Sequence, residues 1–237
     1  AFGTLGIMVG TGGTALISMT LGMGDKKRAN ELFSMLTYVC IIGGVILTVV
    51  SIAFLRPAAK LLGAEGQMLE DCVTYGTIVQ LALVAYILQF AFQSFCITAE
   101  KPNLSLGMMV TAGLCNIGLD ALFVAVFRWG LIGAAVATAL AQIIGAVVPI
   151  VYFLRPNSSL LRLGKCKMDW TALLRTAANG SSELMSNLSM SIVGMLYNLQ
   201  LIAYAGEDGI AAYSVIMYVN FVFLAVFIGF VIGTAPI

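Results

Sequence analysis

An asparagine and an aspartate lie four residues apart inside one apolar stretch of this chain. Asn116 and Asp120 belong to the run at 104–127, and a spacing of four places both on one face of a helix. A charge at the centre of a bilayer costs roughly 2.5–3.5 kcal/mol, so carboxylates found there usually serve a function. The pair indicates an ion or proton site, and a polar contact that holds two helices together is the alternative.

A threonine in the next segment can add a further oxygen to this pair. Thr138 follows a tight turn at 129–130, so two antiparallel helices would bring it to the depth of Asp120. Hard cations prefer such oxygen ligands. The chain has no histidine, so proton chemistry must use carboxylates. We predict an ion-coupling site, holding Na⁺ or a proton and needing no other cofactor, formed by Asp120, Asn116 and Thr138.

A second polar pattern follows one face of the segment at 177–205. Its members recur at steps of three or four residues, at Asn179, Glu183, Asn187, Ser191, Gly194 and Asn198. Such a stripe usually lines a water-filled cavity, although hydrogen bonding between helices would give the same pattern. We predict a substrate cavity with lining residues from this segment and from the third, namely Glu183, Asn187, Asn198, Gln89 and Gln93.

The composition shows which elements must hold these residues. The chain is 60% hydrophobic and 10% charged, whereas soluble domains carry about 25% charged residues. Seven apolar segments reach the roughly 20 residues needed to cross a bilayer, at 1–23, 33–55, 72–98, 105–127, 131–154, 177–205 and 210–235. The sequence therefore predicts an all-α integral membrane protein with seven transmembrane helices. Its net charge of +1 argues against a nucleic-acid partner.

The connections between these segments differ in positive charge. Nine basic residues lie in one set of alternate connections, at Lys26, Lys27, Arg28, Lys101, Arg155, Arg162, Lys165, Lys167 and Arg175. Three lie in the other set, at Arg56, Lys60 and Arg128. The positive-inside rule predicts a multi-pass inner (plasma) membrane protein with cytoplasmic loops at 24–32, 99–104 and 155–176. We expect a short amphipathic helix at the membrane surface within the last of these.

A short internal repeat predicts two lobes. GIMVGTGG at 6–13 matches GFVIGTAP at 229–236, in the first and seventh segments. Six-helix halves related by a pseudo-two-fold axis along the membrane normal are a known transporter plan. We expect an amino-terminal lobe at 1–154, an inter-lobe linker at 155–176 and the start of a carboxy-terminal lobe at 177–237. Because both ends lie in apolar runs, we expect seven helices of about twelve.

Glycines at helical spacing predict close contacts between helices. Gly6 and Gly10 form one GxxxG pair, and Gly229 and Gly233 form another. Small residues at the start of the fifth segment predict the same, namely Gly130, Gly133, Ala134 and Ala137. The stretch VGTGGT lacks the ending of a phosphate-binding loop and follows no strand, so it does not indicate nucleotide binding.

Three stretches resemble multidrug and toxic compound extrusion (MATE) transporters. GTGGTALISMTLGMGDKKRANELFS resembles the family's second helix and the loop after it, and FCITAEKPNLSLGMMV resembles its fourth-to-fifth helix junction. NIGLDALFVAVFRWGLIGAAVAT resembles the fifth helix and the start of the sixth. The resemblance covers nearly the whole chain as helices two to eight of twelve.

The resemblance implies a function and a site. Asn116, Asp120 and Thr138 match the amino-lobe cation site of the prokaryotic DinF-like branch, which an acidic residue on the first helix would complete. A cation-coupled (Na⁺ or H⁺) antiporter is implied, which exports small cationic amphipathic drugs or toxins by alternating access and works as a monomer in the lipid bilayer.

Two other functions fit parts of the sequence. A lipid-linked sugar flippase of the same superfamily would share the fold, but the spans hold almost none of the cationic residues that it would need. A seven-helix receptor or photosensor would match the segment count, but the seventh segment repeats the first and has no lysine for retinal. An enzyme is not expected, because no metal cluster or nucleophile–base pair is visible.

Overall fold

The structure, a computed structural model, describes residues 3–61, 66–155, 159–164 and 166–234. These residues form helices and short connections without any strand among them, which confirms the all-α prediction. In chain order the elements are α1 (Thr4–Gly22), α2 (Lys26–Leu61), α3 (Gly66–Leu81), α4 (Leu83–Thr98), α5 (Pro102–Asp120), a π-helix (Ala121–Val126), α6 (Gly130–Leu154) and α7 (Trp170–Thr234).

The first five predicted segments have counterparts among these helices. Four described helices are long and apolar enough to cross a membrane, at Thr4–Gly22, Lys26–Lys60, Pro102–Val126 and Gly130–Leu154. The third predicted segment corresponds to α3 and α4, which together qualify as a span bent by 49°. The described helices thus supply five spans of the predicted protein if the bent pair counts as one.

The sixth and seventh predicted segments both lie in α7, which is interrupted at Gly206. This residue has φ 62° and ψ −155°, a backbone conformation open essentially to glycine alone. The rings of Tyr197 and Tyr213 stack at 5.6 Å, whereas sixteen residues of straight helix would separate them by roughly 24 Å. The chain therefore folds back at Gly206, between the two segments that the sequence predicted.

Contacts divide the chain into two compact units, Ala1–Leu188 and Ser189–Ile237. The core of the first unit is a cluster of phenylalanines from α2, α4 and α6. Phe33 lies 5.1 Å from Phe153 and 5.3 Å from Phe95 between ring centroids, and all three are almost fully buried. Edge-to-face aromatic pairs of this kind add about 0.5–1.5 kcal/mol beyond area burial. The lobe boundaries at 154 and 176 remain a prediction.

Glycines let α1 approach α4, as the GxxxG pair predicts. A methyl group at Gly6 would overlap the Ile87 carbonyl oxygen, and one at Gly10 would lie 3.2 Å from Ala91 Cα. Gly133 makes a similar approach, since a methyl group there would lie 3.0 Å from the Phe123 carbonyl oxygen. The packing role predicted for Gly130 is wrong, because it has open space around it and φ 57°, which serves the turn. The contacts of Gly229 and Gly233 lie outside the described part of the chain.

The described residues of the linker before Trp170 form no helix, so the short amphipathic helix expected there is not found among them. Residues 159–164 and 166–169 are not helical, and α7 begins at Trp170. Side chains of α2 take the hydrogen bonds that a helix would make internally: the Arg162 amide donates to Asn30 Oδ1 at 2.7 Å and the Gly164 amide to Ser34 Oγ at 3.0 Å. Leu161 is fully buried, which further holds the extended backbone against the first unit.

Asp169 ends the linker and connects two helix starts. Its Oδ1 accepts from the amides of Thr171 and Ala172 at 3.0 and 3.1 Å, which caps α7. Its Oδ2 pairs with the Arg28 guanidinium on the first turn of α2. The Ala172 amide and then the Arg28 side chain lower the pKa of Asp169 from its ordinary value. Both helix starts are therefore tied to one carboxylate that stays ionised near neutral pH.

The predicted orientation can be tested at Cys166, which lies half-buried in the linker. Burial, helped by the charge of Glu31, raises the pKa of its thiol, so labelling should be slow at neutral pH and should accelerate up to tenfold per pH unit as thiolate forms. A membrane-impermeant maleimide should label Cys166 only after the cells are opened. Labelling of Cys166 in sealed cells at the rate seen in opened cells would reverse the predicted orientation.

Candidate functional site

The predicted ion site lies on the hairpin formed by α5 and α6. Its turn includes Arg128 and Gly130, both with φ 57°. Two contacts fix how the helices align. A methyl group at Gly145 would lie 3.1 Å from Ala112 Cβ, and one at Gly133 would lie 3.1 Å from Phe123 Cβ. Residues between these two contacts must therefore face each other in antiparallel order.

This alignment places the predicted ligands at matching depths. Asn116 and Asp120 follow Ala112 by one and two turns, and Thr138 lies opposite them on α6 between the same two contacts. All three side chains belong to residues that are half-buried. The structure thus brings the two helix segments that carry Asp120, Asn116 and Thr138 into register.

Asp120 has a buried oxygen that lacks a hydrogen-bond donor among the described residues. Its Oδ1 is shielded from solvent and unpartnered, and the same holds for Oε1 of Gln142. Buried polar atoms are normally satisfied, and an exception indicates strain, a functional role or an absent ion or water. A proton, a cation or a water molecule can satisfy an acceptor oxygen of this kind. The arrangement around Asp120 therefore fits an ion-binding role.

A π-helix begins directly after Asp120. It covers Ala121–Val126, and such segments occur mostly as single turns at functional sites. The rings of Phe123 and Trp129 stack at 5.2 Å, and Trp129 also lies 5.6 Å from Phe127. This aromatic cluster fixes the widened turn. Asp120 consequently stands at the boundary between two backbone geometries.

The predicted ligand set of the ion site is one carboxylate with neutral oxygens. No group of three or more His, Cys, Asp and Glu side chains with metal-binding geometry occurs in the described part of the chain. A transition-metal site of the usual imidazole and thiolate kind would need such a group. One carboxylate with amide and hydroxyl oxygens is a set of oxygen ligands of the kind that hard cations prefer.

Gln89 lies next to one end of the α5–α6 contact that carries the predicted ion site. A methyl group at Gly145 would be 3.0 Å from Gln89 Cδ and 3.1 Å from Nε2, so its amide adjoins the α5–α6 contact at Ala112. Gln93 follows one turn later on α4, and its carbonyl oxygen accepts from Ser105 Oγ at 3.5 Å. Whether either residue reaches the substrate cavity stays a prediction.

The polar stripe of α7 is distributed over both compact units. Glu183 is exposed and its carbonyl oxygen accepts from Asn187 Nδ2 at 2.8 Å. In the second unit the Gly194 carbonyl oxygen accepts from Asn198 Nδ2 at 3.0 Å. Asn198 lines a cavity of about 430 Å³ together with Gly194, Tyr213, Ser214, Met217, Tyr218 and Phe221. An amide beside aromatic rings can bind an amphipathic molecule.

Sequence reasoning missed Gln142. It lies four residues after Thr138 and hence on the same face of α6, and its carbonyl oxygen is one of the buried unpartnered atoms. The i,i+4 spacing that identified Asn116 and Asp120 also relates Thr138 and Gln142. That spacing was the signal that could have found it.

Helices long and apolar enough to span a membrane, with a shielded carboxylate oxygen on the α5–α6 hairpin, are typical of helical membrane transport proteins. The MatE family model matches residues 1–122, just over half of the chain. The chain therefore belongs to the MatE family, the multidrug and toxic compound extrusion transporters, as its motifs suggested.

The chain also resembles individual proteins in sequence and a solved structure in fold. The chain is 29% identical over 212 residues to the multidrug export protein MepA of Staphylococcus saprophyticus, covering 89% of this chain and 47% of that protein. It is 30% identical over 217 residues to MepA of Staphylococcus haemolyticus, covering 91% and 47%. A structure described as the outward-facing conformation of a multidrug resistance MATE family transporter matches with TM-score 0.84 and 21% identity, covering 93% of this chain and 50% of that one. The chain spans about half the length of these relatives.

Proposed function

We propose that this chain is part of a cation-coupled exporter of drugs or toxins that works by alternating access of two six-helix lobes. The observation that carries the proposal is the buried, unpartnered carboxylate oxygen of Asp120 on the hairpin shared with Thr138. The names of the MepA relatives, multidrug export proteins, support export as the direction.

The coupling follows from what a buried carboxylate tolerates. Asp120 is stable in an apolar surrounding when it is protonated or when it holds a cation with Asn116 and Thr138 as neutral donors. Ionised and empty, it attracts the next ion and favours the opposite arrangement of the helices. Binding of Na⁺ or H⁺ can thus shift the equilibrium between two conformations by its differential affinity for them.

We further propose that the substrates are cationic amphipathic molecules and that the protein works as a monomer in the bilayer. The cavity beside Asn198 is lined by the aromatic residues Tyr213, Tyr218 and Phe221, and aromatic faces attract organic cations. Met217 in the same wall is flexible and polarisable, which suits ligands of several shapes.

Measurements of drug transport across the membrane of sealed vesicles test the proposal. The whole protein in sealed vesicles should move a cationic drug against its gradient when Na⁺ or H⁺ is supplied from the opposite side, and should stop when both ion gradients are collapsed. Drug movement that ignores both gradients would contradict ion coupling.

Replacing Glu183 with glutamine should reduce export of cationic drugs several-fold more than export of neutral drugs of similar size. The substitution removes the negative charge that would attract a cationic drug and keeps the size of the side chain. Initial export rates for matched cationic and neutral drugs give the measurement.

Glu100→Gln, a loop substitution on an exposed residue, is the matched control and should leave both rates unchanged. Equal loss of both drug classes in Glu183→Gln, accompanied by less protein in the membrane, would favour the packing interpretation of the stripe.

A further inference from the structure

We propose that Gln142 is a further ligand of the coupling site, and that its carbonyl oxygen makes this site bind Na⁺ in preference to a proton. The inference rests on the proposed function and adds a residue and an ion preference to it. Gln142 lies on α6, one helical turn beyond Thr138.

The alignment of the hairpin places Gln142 at the level of Asn116. Ala112 meets Gly145 at one end of the site, and Phe123 meets Gly133 at the other. One helical turn from the Ala112–Gly145 contact, in the direction of the connection at 128–130, lie Asn116 on α5 and residues 141–142 on α6. One helical turn further lie Asp120 on α5 and, close to it in level, Thr138 on α6. The four residues thus lie at two adjacent levels of the hairpin.

Burial of the oxygens points to an ion between these levels. Oε1 of Gln142 and Oδ1 of Asp120 are the two acceptor atoms on this hairpin that are shielded from solvent and unpartnered among the described residues. An unsatisfied buried acceptor costs about 1–3 kcal/mol, and more for a charged group. A cation that both oxygens contact would remove both penalties at once.

The number of oxygen ligands at the site then determines whether Na⁺ or a proton is bound more tightly. A proton binds one carboxylate oxygen and is shared with at most one further acceptor, whereas a hard metal cation collects several oxygens. Each added neutral oxygen therefore stabilises bound Na⁺ more than a bound proton. Gln89 adjoins the Ala112–Gly145 contact, at the end of the site that lies away from the turn of the hairpin.

Sodium binding to the whole purified protein tests the inference. Gln142→Leu should raise the dissociation constant for radioactive sodium about tenfold, while export driven by a proton gradient should persist. Gln142→Asn keeps the amide but retracts it by one methylene, so a smaller increase is expected. Gln67→Leu, the same substitution at an exposed residue of α3, should bind sodium like the wild type.

The possible outcomes separate this inference from the proposed function. Wild-type sodium affinity in both Gln142 variants, with binding lost in Asp120→Asn, would overturn the role of Gln142 and leave ion coupling at Asp120 intact. Equal loss of sodium-driven and proton-driven export in Gln142→Leu would overturn the ion preference, as would a wild-type protein that binds no sodium. Retained ion binding in Asp120→Asn would overturn the proposed function itself. If Gln142→Leu does not fold, the sodium dissociation constant of Gln142→Asn is compared with that of the wild type, and an increase smaller than about tenfold is expected.

Discussion

Vesicles that contain the Asp120→Asn protein should show no ion-driven export, at the level of empty vesicles, although the protein is present and still binds drug. Asparagine matches aspartate in size and hydrogen-bonding reach but cannot change its charge. An exchange of ions for drug needs a group whose charge changes during the cycle. The measurement is drug flux in sealed vesicles under an imposed Na⁺ or H⁺ gradient.

Asn116→Ala provides the graded comparison for this experiment. It removes a neutral oxygen and keeps the carboxylate, so it should weaken cation affinity and leave some export at high ion concentration. Wild-type flux through Asp120→Asn under either gradient would show that the carboxylate is structural, and the coupling mechanism would then be wrong.

The second large effect, a loss of stability, is expected from substitutions of the glycines at which two helices are in close contact. Gly6→Ala would place a methyl group against the Ile87 carbonyl oxygen, and Gly180→Ala would place one against the Met8 carbonyl oxygen. Backbone atoms cannot swing aside as side chains do, so the helices must separate at a cost of about 1–3 kcal/mol. Both variants should lose thermal stability in detergent, measured as the temperature at which half of the protein aggregates.

Gly107→Ala is the matched control, because Gly107 lies in α5 with nothing within 4 Å of the added methyl group. There the change should stabilise the helix by about 0.5–1 kcal/mol, since glycine is the poorer helix former. The same substitution thus has opposite expected signs at the two kinds of site. Equal melting temperatures for Gly6→Ala and Gly107→Ala would mean that α1 and α4 are not in tight contact.

The helices were predictable from the sequence because lipid imposes a simple rule. Segments of sufficient apolar length must be helical, and this rule found the spans without any knowledge of their contacts. The approach of Gly6 and Gly10 to α4 was likewise visible in their spacing. The i,i+4 relation of Asn116 and Asp120 was enough to place both on the hairpin face.

Features that depend on partners distant in the chain were not predictable. The extended linker forms because Asn30 and Ser34, about 130 residues away, offer hydrogen bonds to its backbone, whereas local pattern alone favoured a helix. The role of Gly130 depends on its φ, which sequence spacing does not reveal. Gln142 drew no attention because a single amide in an apolar helix is common, and only its unpartnered oxygen distinguishes it.

The hydrogen bonds and the ion pair of Asp169 couple the movement of two helices in the first compact unit. One carboxylate holds the first turn of α7 through two amides and the first turn of α2 through Arg28, while the linker before it is fastened along α2. A displacement of α2 along the membrane normal would therefore act on the start of α7 through this ion pair and through the hydrogen bonds of the linker. The start of α7 is thus coupled to α2, whereas α7 itself is interrupted further along, at Gly206.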